Sequence, residues 1–260
     1  MPPRHHIDIW LCYETDVGDD LLHAYAPLLT DAERARAARF HFAADRNRHV
    51  ISRALLRTVL PSYLRIPHQH LVFRSDRFGR PSLNNAEALG LDFNLSHTRG
   101  LIALAVTSHS VVGVDVENAS HQQPAMELAS RFFSPDEVAS LRTFDGSALN
   151  LEFYRHWTLK ESYLKAYGVG LSLPLDRFGF RLAEHRAEFY LAPDAEHRAD
   201  EWYFAQWRAS PDHLLAVCSQ HGHEKPPAFK LRRIIPLNLC EDIELPQLCS
   251  STSRSREFMD

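Results

Sequence analysis

The sequence predicts an α+β protein, on three observations. Segments with two-residue apolar alternation are mixed with segments of helical periodicity, without the strand–helix–strand rhythm of a parallel α/β sheet. Three strand-like stretches follow one another across short turns between residues 93 and 117. Two helix-start signatures, Thr30 with Glu33 and Ser134-Pro135-Asp136-Glu137, introduce helical stretches.

In chain order, 7–13 (IDIWLCY) reads as the first strand. Thr30 as N-cap and Glu33 three residues on predict a helix to about Phe42. A second helix is expected from about Asp45 to Leu64, stopped near Pro67, with Val50 and Ala54 inward and Arg46, Arg53 and Arg57 on another face. LVFRS (71–75), FNLSH (93–97), LIALAVTS (101–108) and VVGVDVE (111–117) read as strands. Residues 122–142 read as helical, with a fresh start after Phe132-Phe133. A periodic helix from about Leu151 to Tyr167 ends at Gly168, the residue suited to a left-handed cap. FGFRL, EFYLA, WYFAQWR and HLLAVCS alternate as strands. Past Pro236 the pattern decays, and 250–257 reads as a disordered tail. No repeat is visible in the residues themselves.

Hydrophobic residues make up 45% of the 260-residue chain and charged residues 24%, which excludes collagen-like, mucin-like and wholly disordered readings. That length accommodates one large domain or two smaller ones, each able to bury a core. No apolar run approaches the ~20 residues of a membrane span. Residues 1–14 lack the apolar centre of a signal peptide, so a cytoplasmic address is expected. Cys12, Cys218, Cys240 and Cys249 form no C-x-x-C pair, and the histidines form neither H-E-x-x-H nor H-x-x-x-H, so neither a disulfide framework nor a histidine-built zinc site is expected.

The net charge of −4 is unevenly spread. Between Asp31 and Arg65, eight arginines face Asp31, Glu33 and Asp45, a local +5 that leaves −9 for the remainder. An acidic protein with one arginine-rich segment suggests a local anion site rather than a nucleic-acid coat, although a solvated helix face rich in arginine would read the same way.

Three motifs carry candidate chemistry. In VVGVDVE, strand alternation turns Val112, Val114 and Val116 to a core and projects Asp115 and Glu117 together, ~6.6 Å apart along the strand. Two such carboxylates repel and raise one another's pKa unless a hard cation joins them. D-x-E alone also describes the wet face of any half-exposed strand. In WTLKESYLKAYG (157–168), Trp157, Glu161 and Lys165 share one helical stripe, which is equally a solvent-facing Glu→Lys pair. Ser96 and His97, at a strand exit before Thr98-Arg99-Gly100, are groups able to bind phosphate, although turns are rich in them anyway.

Together these motifs resemble the Sfp-type 4′-phosphopantetheinyl transferases: GRP (79–81), FNLSHTRG (93–100), GVDVE (113–117), RFFSPDE (131–137) and WTLKESYLKAYGVGLSLPL (157–175) follow in the family's order over roughly residues 5–225. The resemblance implies transfer of the phosphopantetheine arm of coenzyme A to a serine of an acyl, peptidyl or aryl carrier protein, with release of 3′,5′-ADP. It implies a pseudo-dimer of two similar α+β halves, divided here near Ser110: 1–110 with the basic coenzyme A-contacting segment, 111–235 with the carboxylates, and 236–260 as a partly disordered tail. By position, Asp115, Glu117 and Glu161 match the Mg²⁺ ligands, with Mn²⁺ an alternative. Lys165 matches a lysine on the coenzyme A phosphates, and Ser96 and His97 the pair near the nucleotide phosphates. Arg80 stands where the family commonly has lysine. Arg36 and Arg48 fall on basic positions associated with coenzyme A, and Glu137 matches a glutamate assigned to the acidic site. Glu161 is the expected general base, with Lys165 beside it as the second catalytic group. A cytoplasmic monomer serving secondary metabolism, binding neither nucleic acid nor membrane, is the further expectation, with carrier contacts near 76–81 and 118–135. Two competing readings stand beside it: a metal-dependent nuclease built on Asp115, Glu161 and Lys165, and a non-catalytic carrier-binding module.

Overall fold

The computed structural model describes residues 5–77, 79–168, 170, 173–193, 198–221 and 225–251. Strand β1 (His6–Tyr13) leads through helices α1 (Asp19–Tyr25) and α2 (Asp31–Ala37) to the long α3 (Ala43–Leu64). A small hairpin, β2 (Phe73–Ser75) and β3 (Pro81–Leu83), precedes β4 (Leu91–Thr98), β5 (Leu101–Ser108) and β6 (Val112–Asn118). Then come α4 (Ala125–Phe132), α5 (Pro135–Leu141), α6 (Gly146–Tyr167), β7 (Phe178–Ala183), β8 (His185–Leu191), β9 (Trp202–Arg208) and β10 (His213–Gln220). The chain finishes with β11 (Ala228–Ile235), β12 (Leu239–Asp242) and β13 (Gln247–Ser251).

Two sheets, in the orders β12-β11-β1-β5-β4 and β6-β10-β9-β13-β8-β7, pack face to face. Ile7, Ile9, Leu11, Leu101, Ala103 and Ala105 of the first meet Val112, Val114, Val116, Ala205, Leu215 and Val217 of the second in one apolar cluster. The other face of the first sheet, with Ile102, Leu104 and Val106, packs on Ile51, Leu55, Leu56 and Val59 of α3. The other face of the second, with Phe204, Ala216 and Cys218, packs on Leu159, Tyr163 and Leu164 of α6. The result is a helix–sheet–sheet–helix stack, each half one sheet with one 22-residue helix. β5 is buried at all eight positions because both of its faces lie inside the stack.

Local signals fix several element ends. Both helix-start signatures form reciprocal capping boxes, at Thr30/Glu33 and Ser134/Glu137. Gly168 closes α6 with φ +75°, a left-handed cap that glycine takes without Cβ strain. α3 ends at Leu64, as expected, with Arg65 a left-handed cap at φ +56°. Two expectations need correction. α2 ends at Ala37, short of Phe42, and the chain turns before α3 starts at Ala43. The expected tail from 236 contains two strands: β12 pairs with β11, and β13, ending at Ser251, inserts between β8 and β9. β11 in turn runs parallel to β1 in the first sheet, so the C-terminal stretch completes both halves rather than trailing from the second. Residues 252–257 of the expected tail lie outside the described residues. Among the described residues no helix is long and apolar enough to cross a membrane, and the four cysteines are free thiols, three of them buried.

Candidate active site

The site lies where the edge of one sheet meets the edge of the other. β4 and β6 are edge strands of different sheets, and α6 lies across β6. Gly113 explains how close that crossing is. A Cβ there would stand 2.0 Å from the Ser162 carbonyl oxygen and 2.5 Å from the Ala166 nitrogen, backbone atoms that cannot give way as a side-chain tip would. The glycine of GVDVE lets α6 settle on the strand, and Asp115 two residues on then meets the α6 stripe of Glu161 and Lys165. Gly113→Ala is expected to push α6 off the strand. Thermal denaturation should show a loss of at least ~1–3 kcal/mol, together with lost activity; a variant as stable as the parent would contradict this packing.

Asp115, 3% exposed, is the centre of the cluster. Its Oδ1 accepts from Ser96 Oγ at 2.9 Å and from Lys165 Nζ at 2.5 Å, and Lys165 Nζ also donates to Ser96 Oγ at 2.9 Å. Oδ2 is buried with no hydrogen-bond partner among the described residues. Burial pushes the Asp115 carboxyl above the usual carboxylate range, only partly offset by the Lys165 ammonium and the Ser96 hydroxyl. Burial and the neighbouring charge of Asp115 push Glu117 up to about 7. Glu161 is raised by the same two causes in the same order. Three buried carboxylates that resist ionisation, two of them also because of the Asp115 charge, form a site short of positive charge. An orphaned buried oxygen and an all-carboxylate donor set suit a hard divalent cation. Among the described residues no three His, Cys, Asp or Glu side chains already stand at metal-ligand spacing, and the positive charge against Asp115 is the Lys165 ammonium.

Of the remaining expected residues, some converge and some do not. His97 is on the opposite side of β4 from Ser96 and is exposed as a residue; partial desolvation and the positive charges of Arg48 and Lys165 hold its imidazole below the ordinary value. Arg48 is committed to Glu14 at 2.6 Å and Asp45 at 3.0 Å, and Arg36 is exposed on the last turn of α2. Arg57, expected on a different face from Val50 and Ala54, is buried against Glu33 at 2.8 Å.

Two residues have a different geometry from the one expected. Arg80 is a clamp: its guanidinium donates to the carbonyls of Lys165, Phe93 and Val112 and pairs with Asp92 at 2.8 Å, tying the end of α6 to the starts of β4 and β6. Glu137 is 1% exposed, away from the acidic cluster. It accepts from Ser134 N and Phe180 N and pairs with the wholly buried Lys160 at 2.8 Å. Lys160, the lysine just before Glu161, was legible only as part of the motif, and its structural role carried no separate signal. Asn94 and Thr98 were equally overlooked, although alternation from Ser96 places both on the same face of β4.

A cavity of about 800 Å³ borders the cluster on the Glu117 side, with Tyr154, Trp157 and Leu128 in its wall. A smaller one of about 270 Å³ borders it on the Glu161–Lys165 side, with Arg80 and Pro81. The two segments expected to meet a carrier, 76–81 and 118–135, therefore each open onto the carboxylates.

The profile described as the 4′-phosphopantetheinyl transferase superfamily matches residues 111–218, and the one described as 4′-phosphopantetheinyl transferase, N-terminal, matches 18–109. Among similar proteins, the 4′-phosphopantetheinyl transferase HetI of Nostoc sp. strain PCC 7120 is 37% identical over 158 residues, 60% of this chain and 67% of its own. A 4′-phosphopantetheinyl transferase of Bacillus subtilis is 30% identical over 189 residues, covering 73% and 81%. The 4′-phosphopantetheinyl transferase Sfp of Bacillus subtilis strain 168 is 28% identical over 197 residues, covering 76% and 84%. The chain belongs to the 4′-phosphopantetheinyl transferase superfamily. Transfer of phosphopantetheine to carrier proteins is the function this membership supports, and the nuclease and non-catalytic readings are left without support.

Proposed function

We propose that the carboxylates of Asp115, Glu117 and Glu161 hold a Mg²⁺ ion during transfer of the phosphopantetheine arm from coenzyme A to a carrier-protein serine. The observation that carries the reading is the buried Asp115, with one oxygen answered by Lys165 and Ser96 and the other without a hydrogen-bond partner among the described residues. The ion would offset the charge of the diphosphate and of the departing 3′,5′-ADP. Lys165, 27% exposed at its side chain, has its ammonium at the cluster and within reach of a phosphate oxygen on the open side. Glu161 is the proposed proton acceptor: its carboxyl is already raised by burial and by Asp115, nearer to a working base than an exposed glutamate. His97, with its depressed value, is a neutral hydrogen-bonding group at pH 7. Arg36 is proposed for the nucleotide's 3′-phosphate because it is exposed; Arg48 would have to share Glu14 to join it. Arg80 is better placed to hold the site together than to bind substrate. The cytoplasmic address, the monomeric state and a place in secondary metabolism belong to the same proposal.

A panel of apo carrier proteins incubated with coenzyme A and Mg²⁺, read by intact mass, tests it. At least one carrier should gain phosphopantetheine, and excess chelator should stop the gain. Transfer at full rate in chelator would remove the cation from the reaction. Glu161→Gln should abolish transfer while largely sparing coenzyme A binding; near-normal turnover in that variant would take the base role from Glu161.

A further inference from the structure

Alternate side chains of β4 address β6 rung by rung. Asp92 Oδ2 accepts the Val112 N–H at 2.9 Å, Asn94 Oδ1 accepts the Val114 N–H at 2.9 Å, and Ser96 Oγ accepts the Val116 N–H at 3.4 Å. One step further, Thr98 Oγ1 donates to Glu117 Oε2 at 3.4 Å. The offset is 20 residues at each of the three backbone rungs, so the two strands run in register without a backbone ladder between them. β6 pairs with β10 on its other side, and along its free edge every second N–H needs a partner from outside its own sheet. Side chains of β4 supply those partners. The same row that satisfies the edge continues into the reactive groups, because Ser96 also donates to Asp115 and Thr98 to Glu117.

This arrangement has a geometric consequence for the site. A strand slipped by one residue turns each side chain to the other face, which would carry Asp115 and Glu117 into the apolar cluster of Val114 and Val116. The rungs hold β6 against β4 at the one phase in which Ser96 and Thr98 reach the two carboxylates. An asparagine suits position 94 chemically, since a buried neutral amide provides an acceptor without adding a fourth negative charge beside groups that already repel one another.

We propose that Asn94 and Thr98 are positioning residues for the cation site, Asn94 by pinning the β6 backbone at Val114 and Thr98 by orienting the Glu117 carboxylate. This rests on the cation reading above. The test uses the full chain without substrate and measures Mn²⁺ affinity by electron paramagnetic resonance, beside amide hydrogen exchange at Val114 and the melting temperature. Thr98→Val should weaken Mn²⁺ binding by roughly tenfold or more, with Val114 exchange and melting unchanged, and Thr98→Ser should recover most of the affinity because the hydroxyl donor is restored. Asn94→Leu should weaken Mn²⁺ binding and also speed exchange at Val114; if that variant fails to fold, the Thr98 pair decides. Parental Mn²⁺ affinity in Thr98→Val overturns the role of Thr98, and parental affinity in a folded Asn94→Leu overturns that of Asn94. Absence of Mn²⁺ binding by the parent protein overturns the cation reading itself, and the positioning roles with it.

Discussion

Asp115→Asn is expected to lower kcat/KM for carrier modification by at least about 10²-fold while the protein remains as stable as the parent, or more so, in the absence of divalent cations. The two effects have one origin. The Asp115 carboxyl lies in a buried pocket that raises its pKa, so its charged form is disfavoured in the fold relative to the unfolded chain. The sign follows: a carboxyl raised on folding weakens the protein above its ordinary titration range, and the penalty is relieved as the pH falls and the group takes up a proton. An asparagine never bears that charge. Its amide oxygen still accepts from Ser96 and Lys165, and the Lys165 ammonium keeps Glu161 and Glu117 nearby as counter-charges. What the amide cannot do is contribute a negative charge to a cation. Steady-state transfer assays in Mg²⁺ and urea unfolding in chelator check the two halves separately. Turnover near the parent's would take Asp115 out of the site. A stability loss of several kcal/mol would mean that its charge is better compensated than its orphaned Oδ2 implies.

That prediction marks where the sequence was legible. Alternation in the strand puts Asp115 with Glu117, and the i, i+4 stripe in the helix puts Glu161 with Lys165, on common faces. It was the order of the motifs, resembling the family's, that singled them out as a site. Their meeting depends on Gly113, whose missing side chain lets the two elements touch, and that requirement shows only once α6 lies on β6. The residues that misled are those whose partners come from distant elements. Arg80 could be matched by motif position, but its partners, the carbonyls of Phe93, Val112 and Lys165, belong to three elements separated in sequence. The missed strands have the same explanation. β11 reads AFKLRRII because one face carries Lys230, pairing with Asp242, and Arg232, lying over the Trp10 ring. Their charged ends hide the alternation from a pattern search. β12 and β13 are four and five residues long, too short for periodicity to stand out, and they form because the sheets offer them edges and a gap.

The largest effect on stability is expected from Lys160→Met, a loss of ~3–5 kcal/mol. Lys160 is 0% exposed, and its ammonium donates to the carbonyls of Leu175 at 2.9 Å and Phe178 at 2.5 Å and pairs with Glu137 at 2.8 Å. Its ammonium lies over the Phe133 and Phe178 rings at 5.2 and 4.5 Å, where a methionine thioether of similar length can still meet the aromatic faces. The substitution therefore isolates the charge. Glu137 would remain buried with the Ser134 and Phe180 N–H groups and His156, but without its cation. Burial drives the Glu137 carboxyl upward, yet the His156 hydrogen bond and the Lys160 ammonium outweigh it and hold the group below the usual carboxylate range. A carboxyl lowered on folding adds stability above its ordinary titration range, and that contribution disappears as the pH falls through the lowered value. Lys160→Met should shrink this acid-sensitive component as well as the stability at neutral pH. The double variant Lys160→Met/Glu137→Gln should recover part of the loss, because a neutral amide needs no cation, and denaturant unfolding of the singles and the double closes the cycle. Single variants that cost less than ~1 kcal/mol would show that the pair is dispensable. Since Glu161 is the next residue along α6, a helix freed from this anchor can turn about its axis, and transfer should fall even at temperatures where Lys160→Met is still folded.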